Sequence, residues 1–133
     1  MYLGIHKDRL VTIGEVSEAY GVSKNHMVKI VHHLAQNGII RTVPGKKGGI
    51  TLGREPKKIN LLDVIELTES NFDLAECFTE TGYCPIQNNC RLTKIFTEAL
   101  FSFFKVLGNY TLADLIRNDH LKSQVRKLSN ANA

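Results

Sequence analysis

Apolar positions in the first third of the chain recur three and four residues apart, which places them along one side of an α-helix. Ile13, Val16 and Tyr20 form one such set, and Met27, Ile30, Val31 and Leu34 form a second. Thr12 followed by Glu15 is a capping box, a helix-start signal worth about 1 kcal/mol. Gly21 and Gly38 stand where the two apolar sets end, as glycine does past a helix C-terminus. The pattern predicts a short helix over residues 13–20 and a longer one capped by Ser23, joined by the tight Gly21-Val22 link. Two helices joined this way are the skeleton of a helix-turn-helix. Ahead of them, residues 1–8 read as an apolar stub, the last turn of a helix or a short strand, ending in a polar turn.

Residues 39–43 and 50–52 read as two short strands. Between them, Pro44-Gly45-Lys46-Lys47-Gly48-Gly49 makes a glycine-rich hairpin tip with two lysines, that is, a wing. Asn60 as cap and Asp63 in the first turn announce a third helix, running to about Leu67 with Leu61, Leu62, Val64 and Ile65 buried. Residues 71–89 carry no sustained period and read as loop. From 91 to 107 the apolar residues Leu92, Ile95, Phe96, Ala99, Leu100, Phe103, Phe104 and Leu107 cover more than one stripe. A helix of that length, roughly 25 Å, with apolar groups on two sides needs two partners, its own head and a second copy. Thr111 with Asp114 starts one more short helix over 112–116.

The expected fold is mainly α with a small β-hairpin. It divides into a winged helix-turn-helix head (1–70), a cysteine loop (71–90), a dimerisation helix with the short helix after it (91–116), and a polar, disordered tail (117–133). With 133 residues, 43% of them hydrophobic, the chain can bury a core without staples. No run of eighteen apolar residues and no leader-like start is visible, so a soluble cytoplasmic protein without a membrane partner is expected.

Charge sharpens this division. Over residues 1–58 ten Lys or Arg stand against four Asp or Glu, and over 59–133 seven stand against nine. The first half has the field that attracts polyphosphate. Residues 60–90 hold six acidic groups and no Lys or Arg, so the cysteine loop should face away from nucleic acid.

On the second helix, Lys24, Asn25, His26, Lys29, His32, His33 and Gln36 lie opposite the apolar stripe, a set rich in groups that bond bases and phosphates. With the N-terminus of this helix, Ser23 to Lys29, at a major groove, Asn25 and His26 reach base edges while Lys29 holds phosphate. Lys46 and Lys47 on the hairpin tip are placed for the minor groove or its phosphates. The alternative is a solvated helix face and a solubilising turn. A preceding capped helix and a following basic hairpin favour double-stranded DNA. The isolated His6 and His120 are expected to be solvent-exposed.

All three cysteines fall between Cys77 and Cys90, in the run CFTETGYCPIQNNC. Three thiols in one short loop, with Gly82, Pro85 and the Asn88-Asn89 pair among them, suit a loop wrapped around a metal, and an odd count argues against a disulfide framework. Zinc knuckles favour C-x2-C spacing, which Cys77, Cys84 and Cys90 lack. An iron-sulfur group is therefore preferred, with a fourth ligand from elsewhere. A zinc or thiol-based regulator without a cluster, and three inert thiols, remain the alternatives. No nucleophile elbow, His-Glu-x-x-His or specially placed carboxylate pair is present, so no enzyme is expected.

The runs TIGEVSEAYGVSKNHMVKIVHHLAQNGII, VPGKKGGITLG, CRLTKIF and NYTLADLI, with the three cysteines, resemble the NsrR family of nitric-oxide-sensing repressors and, more distantly, the IscR regulators of iron-sulfur cluster biogenesis. The resemblance implies a winged-helix homodimer with a 2Fe-2S or 4Fe-4S cluster, the former favoured, held by Cys77, Cys84 and Cys90. It implies a recognition helix over 23–37, with Lys46 and Lys47 in the wing. It also implies that nitric oxide attacks the cluster, the protein leaves its operator and detoxification genes are transcribed. Three features depart from the pattern. Met1-Tyr2-Leu3 match only the final turn of the family's first helix, the wing has Pro44 where Arg is usual before the first Gly, and Thr93 stands where IscR-like proteins have His.

Overall fold

The computed structural model describes residues 1–69, 71–79 and 82–130. Among these residues seven helices and one hairpin follow in order: α1 (Tyr2–Ile5), α2 (Ile13–Tyr20), α3 (Lys24–Gln36), β1 (Ile40–Val43), β2 (Gly49–Leu52), α4 (Leu61–Thr68), α5 (Arg91–Gly108), α6 (Leu112–Leu115) and α7 (Asp119–Asn130). Short 3-10 turns occupy Pro56–Lys58, Glu76–Phe78 and Gln87–Asn89.

The helix starts follow their caps. The Glu15 N–H donates to Thr12 Oγ1 at 3.0 Å, and α2 ends where Gly21 turns into the left-handed region at φ 63°. A side chain there would be strained. β1 and β2 pair antiparallel, Ile40 opposite Leu52 and Val43 opposite Gly49. Val11 adds a single bridge to Ile50 on the other edge, with N···O distances of 3.0 and 2.7 Å. That close approach needs Gly49, since a Cβ there would lie 2.7 Å from the Val11 carbonyl.

Tyr2, Leu3 and Ile5 of α1 enter the core with Val11, Val16, Val31, Ile39, Ile40, Ile50, Ile59, Leu112 and Val125. The N-terminal stub is thus one helical turn and is built into the head. On α4, the expected buried residues Leu61, Leu62, Val64 and Ile65 are half-buried instead.

Head and C-terminal helices meet along 59–61 and 110–112. The Leu112 N–H donates to Ile59 O at 2.9 Å, and the Leu61 N–H to Tyr110 O at 3.0 Å. Asn60 works in both directions: its Oδ1 accepts from the Leu62 N–H at 2.8 Å, capping α4, and its Nδ2 donates to Gly108 O at 2.8 Å. Thr111 and Asp114 close the expected capping box at α6.

Two expectations are corrected. Most of the stretch 117–133, read as a disordered tail, is the helix α7. Asn118 Oδ1 accepts from the His120 and Leu121 N–H groups and starts it. Leu121 and Val125, one turn apart, pack into the core, Val125 to 4% exposure. Residues 131–133 of that stretch, like Ser70, Glu80 and Thr81, lie outside the described residues. His6, expected in solvent, is half-buried: it stacks on Tyr2 with ring centroids 4.7 Å apart, and its Nε2 lies 2.9 Å from Ser129 Oγ.

The His6 contact belongs to a polar network tying α7 to α1 and α2. The Tyr2 hydroxyl donates to Glu15 Oε1 at 2.7 Å and meets Ser129 Oγ at 2.6 Å. Arg9 grips both oxygens of Glu15, Nη1 donating to Oε2 at 2.9 Å. The guanidinium bonds, with the Tyr2 hydroxyl, hold the Glu15 carboxyl at about 2.

Candidate nucleic-acid interface and thiol centre

α3 turns Val31 inward and half-buries Met27, Ile30 and Leu34, which leaves the opposite face to solvent. Ser23, Lys24, Asn25, His26 and Lys29 are all exposed at its N-terminal end. Ser23 stands at the N-cap position, but its hydroxyl makes no capping bond. With no acidic residue in the first turn either, the helix start presents N–H groups and positive charge outward, an arrangement suited to phosphate.

Lys46 and Lys47 are exposed at the hairpin tip, where the Gly48 N–H donates to Gly45 O at 2.9 Å and closes the turn. One residue escaped sequence reasoning. Arg54, just past β2, donates from Nη2 to Asn37 O at 2.7 Å. The bond ties the hairpin to the C-terminus of α3, where Asn37 Nδ2 also donates to His33 O at 2.9 Å. Helix α3 and the hairpin are therefore braced against each other. Gly38 at φ 69° was the available signal, since its turn lets the Arg54 guanidinium approach.

Farther along the chain, all three thiols are free and half-buried. Cys90 is the N-cap residue of α5. The N–H of Thr93, then the Thr93 hydroxyl and the N–H of Leu92, hold the Cys90 thiol below the usual thiol range, as expected for sulfur at a helix N-terminus. The same Thr93 hydroxyl lies 3.9 Å from Cys77 Sγ. Cys77 and Cys90, distant in the loop, thus converge on one side chain.

Gln87 joins Cys84 to this arrangement. Its N–H donates to Cys84 O at 3.1 Å, and its Nε2 donates to Cys77 O at 3.0 Å. The roles of Thr93 and Gln87 were not visible in the cysteine spacing, because both depend on how the loop folds back over the start of α5. Among the described residues, no three His, Cys, Asp or Glu side chains are close enough to hold a single metal ion. As a donor set, three unpaired thiols, one already biased toward thiolate, fit an iron-sulfur group. No Lys or Arg lies between 60 and 90 to compete for them.

The long helix α5, which starts at the Cys90 cap, has no fully buried residue. Its inner side packs on α4 and on loop aromatics, Phe104 against Phe72 edge-to-face at 4.9 Å and Phe96 against Phe78 at 6.3 Å. Leu92, Ile95, Phe101, Phe103 and Val106 are exposed on it, Phe101 to 69%. Among the described residues no helix is long and apolar enough to cross a membrane.

Comparison with known proteins gives this architecture a family. Residues 1–118 match the Rrf2 family, described as an iron-dependent transcriptional regulator. The chain is 40% identical over 121 residues to the HTH-type transcriptional regulator NsrR of Shouchella clausii, covering 90% of this chain and 81% of that one. It is 39% identical over 120 residues to NsrR of Bacillus subtilis, covering 90% and 80%. Among solved structures, T. potens IscR superposes with a TM-score of 0.67 at 24% identity, covering 86% of this chain and 75% of that one. CymR, the global cysteine regulator of B. subtilis, gives 0.61 at 23% identity, covering 85% and 83%. The winged helix-turn-helix fold is shared with these structures, and the chain belongs to the Rrf2 family, as a transcriptional repressor of the NsrR type.

Proposed function

We propose that the chain acts in the cytoplasm as a homodimeric iron-sulfur repressor that leaves its operator when nitric oxide is present. The observation that carries this reading is the position of Cys90, a free thiol and at the same time the N-cap residue of the helix that exposes an apolar stripe. Whatever fixes the sulfurs of Cys77, Cys84 and Cys90 relative to one another also fixes the loop against the start of α5.

Two copies joined along Leu92, Ile95, Phe103 and Val106, which share one side of α5, remove an exposed apolar stripe from water. They also set the separation of the two α3 helices, which must be about 34 Å to enter successive major grooves. Cys77, Cys84 and Cys90 are the residues that would hold the cluster, 2Fe-2S favoured over 4Fe-4S, and the bound group supplies iron that reacts with nitric oxide. Thr93 lowers the Cys90 thiol below its usual range and brings it close to the Cys77 loop.

On the DNA side, Asn25 and His26 read base edges while Ser23, Lys24, Lys29, Lys46 and Lys47 hold phosphates. Each phosphate contact releases counterions and adds about 0.9 to the salt slope. The double variant Lys46→Ala, Lys47→Ala is expected to weaken operator and unrelated duplex alike and to flatten the slope by about 2. Fluorescence anisotropy at several salt concentrations measures this. A slope equal to that of the wild type would remove the wing from the interface.

A further inference from the structure

A hollow of about 560 Å³ opens between α1, the Pro56–Lys58 turn, α6 and α7, remote in the chain from both the DNA-reading residues and the cysteines. Its size lies within the range of small-molecule sites. The walls divide by chemistry. Gly4, Ile5, Ala113 and Ile116 supply an apolar floor, with Ile5 buried to 7% exposure and Ile116 half-buried. Position 4 is glycine, and a Cβ there would come within 3.1 Å of Ile116 Cδ1, so the floor is at its tightest where these two residues meet.

Lys7, Lys57, Arg117, Lys122 and Arg126 form the rim. Lys57 stands on the Pro56–Lys58 turn, Lys122 and Arg126 on α7, and Lys7 and Arg117 just past α1 and α6; among the described residues the carboxylates lining the hollow with them are Asp8 and Glu55. Part of this charge is already engaged. Lys57 lies 3.4 Å from Glu55, Arg117 3.5 Å from Asp114, and Lys122 2.7 Å from Asp119. Among the described residues, Lys7 and Arg126 take part in no ion pair. They line the hollow from the turn after α1 and from α7, respectively.

We propose that this hollow binds a small amphiphilic anion, an apolar body carrying one carboxylate or phosphate, with Lys7 and Arg126 on the charged group and Ile5 and Ile116 under the apolar part. The choice follows from the mixed lining. A nucleic-acid backbone is met by solvated lysines and has no use for an apolar floor. A neutral apolar molecule would leave two unpaired cations at its edge. Because α1 belongs to the head and α6 and α7 to the C-terminal part, a ligand held between them favours the docked arrangement and raises stability by mass action. The site is independent of the thiol centre, so this proposal stands or falls separately from the iron-sulfur reading.

The test uses the full chain, ¹⁵N-labelled, titrated with decanoate, with decyltrimethylammonium and with inorganic phosphate. Decanoate is expected to shift the Gly4 and Ala113 amides saturably and to raise the melting temperature, while the cationic analogue moves neither amide. Arg126→Glu, and separately Lys7→Glu, should each weaken decanoate at least tenfold; both positions are exposed, so the fold tolerates the change. Unchanged affinity in both variants would overturn the proposal. So would inorganic phosphate binding as tightly as decanoate, which would make the apolar floor irrelevant.

Discussion

Cys90→Ser is expected to give a colourless protein whose operator affinity falls about a thousandfold, to the level of non-specific binding. The substitution separates the two duties of this position. Serine is among the best N-cap residues, so α5 should start where it does now and the fold should survive. A hydroxyl is not deprotonated by the Thr93 and Leu92 contacts that favour the thiolate, and so it cannot replace sulfur as a ligand. Loss of colour and of tight binding with a wild-type circular dichroism spectrum is the expected combination. Tight operator binding by a colourless, correctly folded Cys90→Ser protein would detach the thiols from repression.

Ile59→Ala should lower the melting temperature by roughly 10 °C, from a loss of about 2–4 kcal/mol. Ile59 is 2% exposed. It stands between the Pro56–Lys58 turn and the Asn60 cap of α4, with its carbonyl accepting from Leu112. Shortening it leaves a cavity where head and C-terminal helices join, and the loss exceeds the transfer free energy because the hydrogen bonds around it restrict collapse. Operator binding below the new melting point should persist, since Ile59 sits at the joint with Leu112 and is not among the residues proposed to contact DNA. Thermal unfolding followed by circular dichroism measures it. A shift under 3 °C would mean that the joint contributes little to stability.

The head was legible because its signals are local. The Thr12 cap, the left-handed turn at Gly21 and the Asn60 cap each act within four residues, and each is found where the pattern put it, although the Glu15 carboxylate is held by Arg9 and Tyr2 and does not complete the expected box. α7 was missed for the opposite reason. Its polar composition outweighs the pair Leu121 and Val125, and what orders it is a core wall and a Ser129 contact with Tyr2, 127 residues away in sequence. His6 was misjudged with it, because its partner Ser129 lies on that helix. The cysteines were visible as a set, but Thr93 and Gln87 as their organisers were not. Spacing along a chain does not encode which way an irregular loop folds over a helix start. Arg54 belongs to the same class, a long side chain that reaches a carbonyl seventeen positions back.

The most direct measurement joins colour to DNA. Protein purified without oxygen is titrated with nitric oxide while visible absorbance and operator binding are followed on the same sample. The account predicts an iron- and sulfide-containing, coloured protein whose absorbance and operator occupancy fall together. Anaerobic protein that is colourless and iron-poor yet fills its operator, or bleaching by nitric oxide with occupancy unchanged, would contradict it.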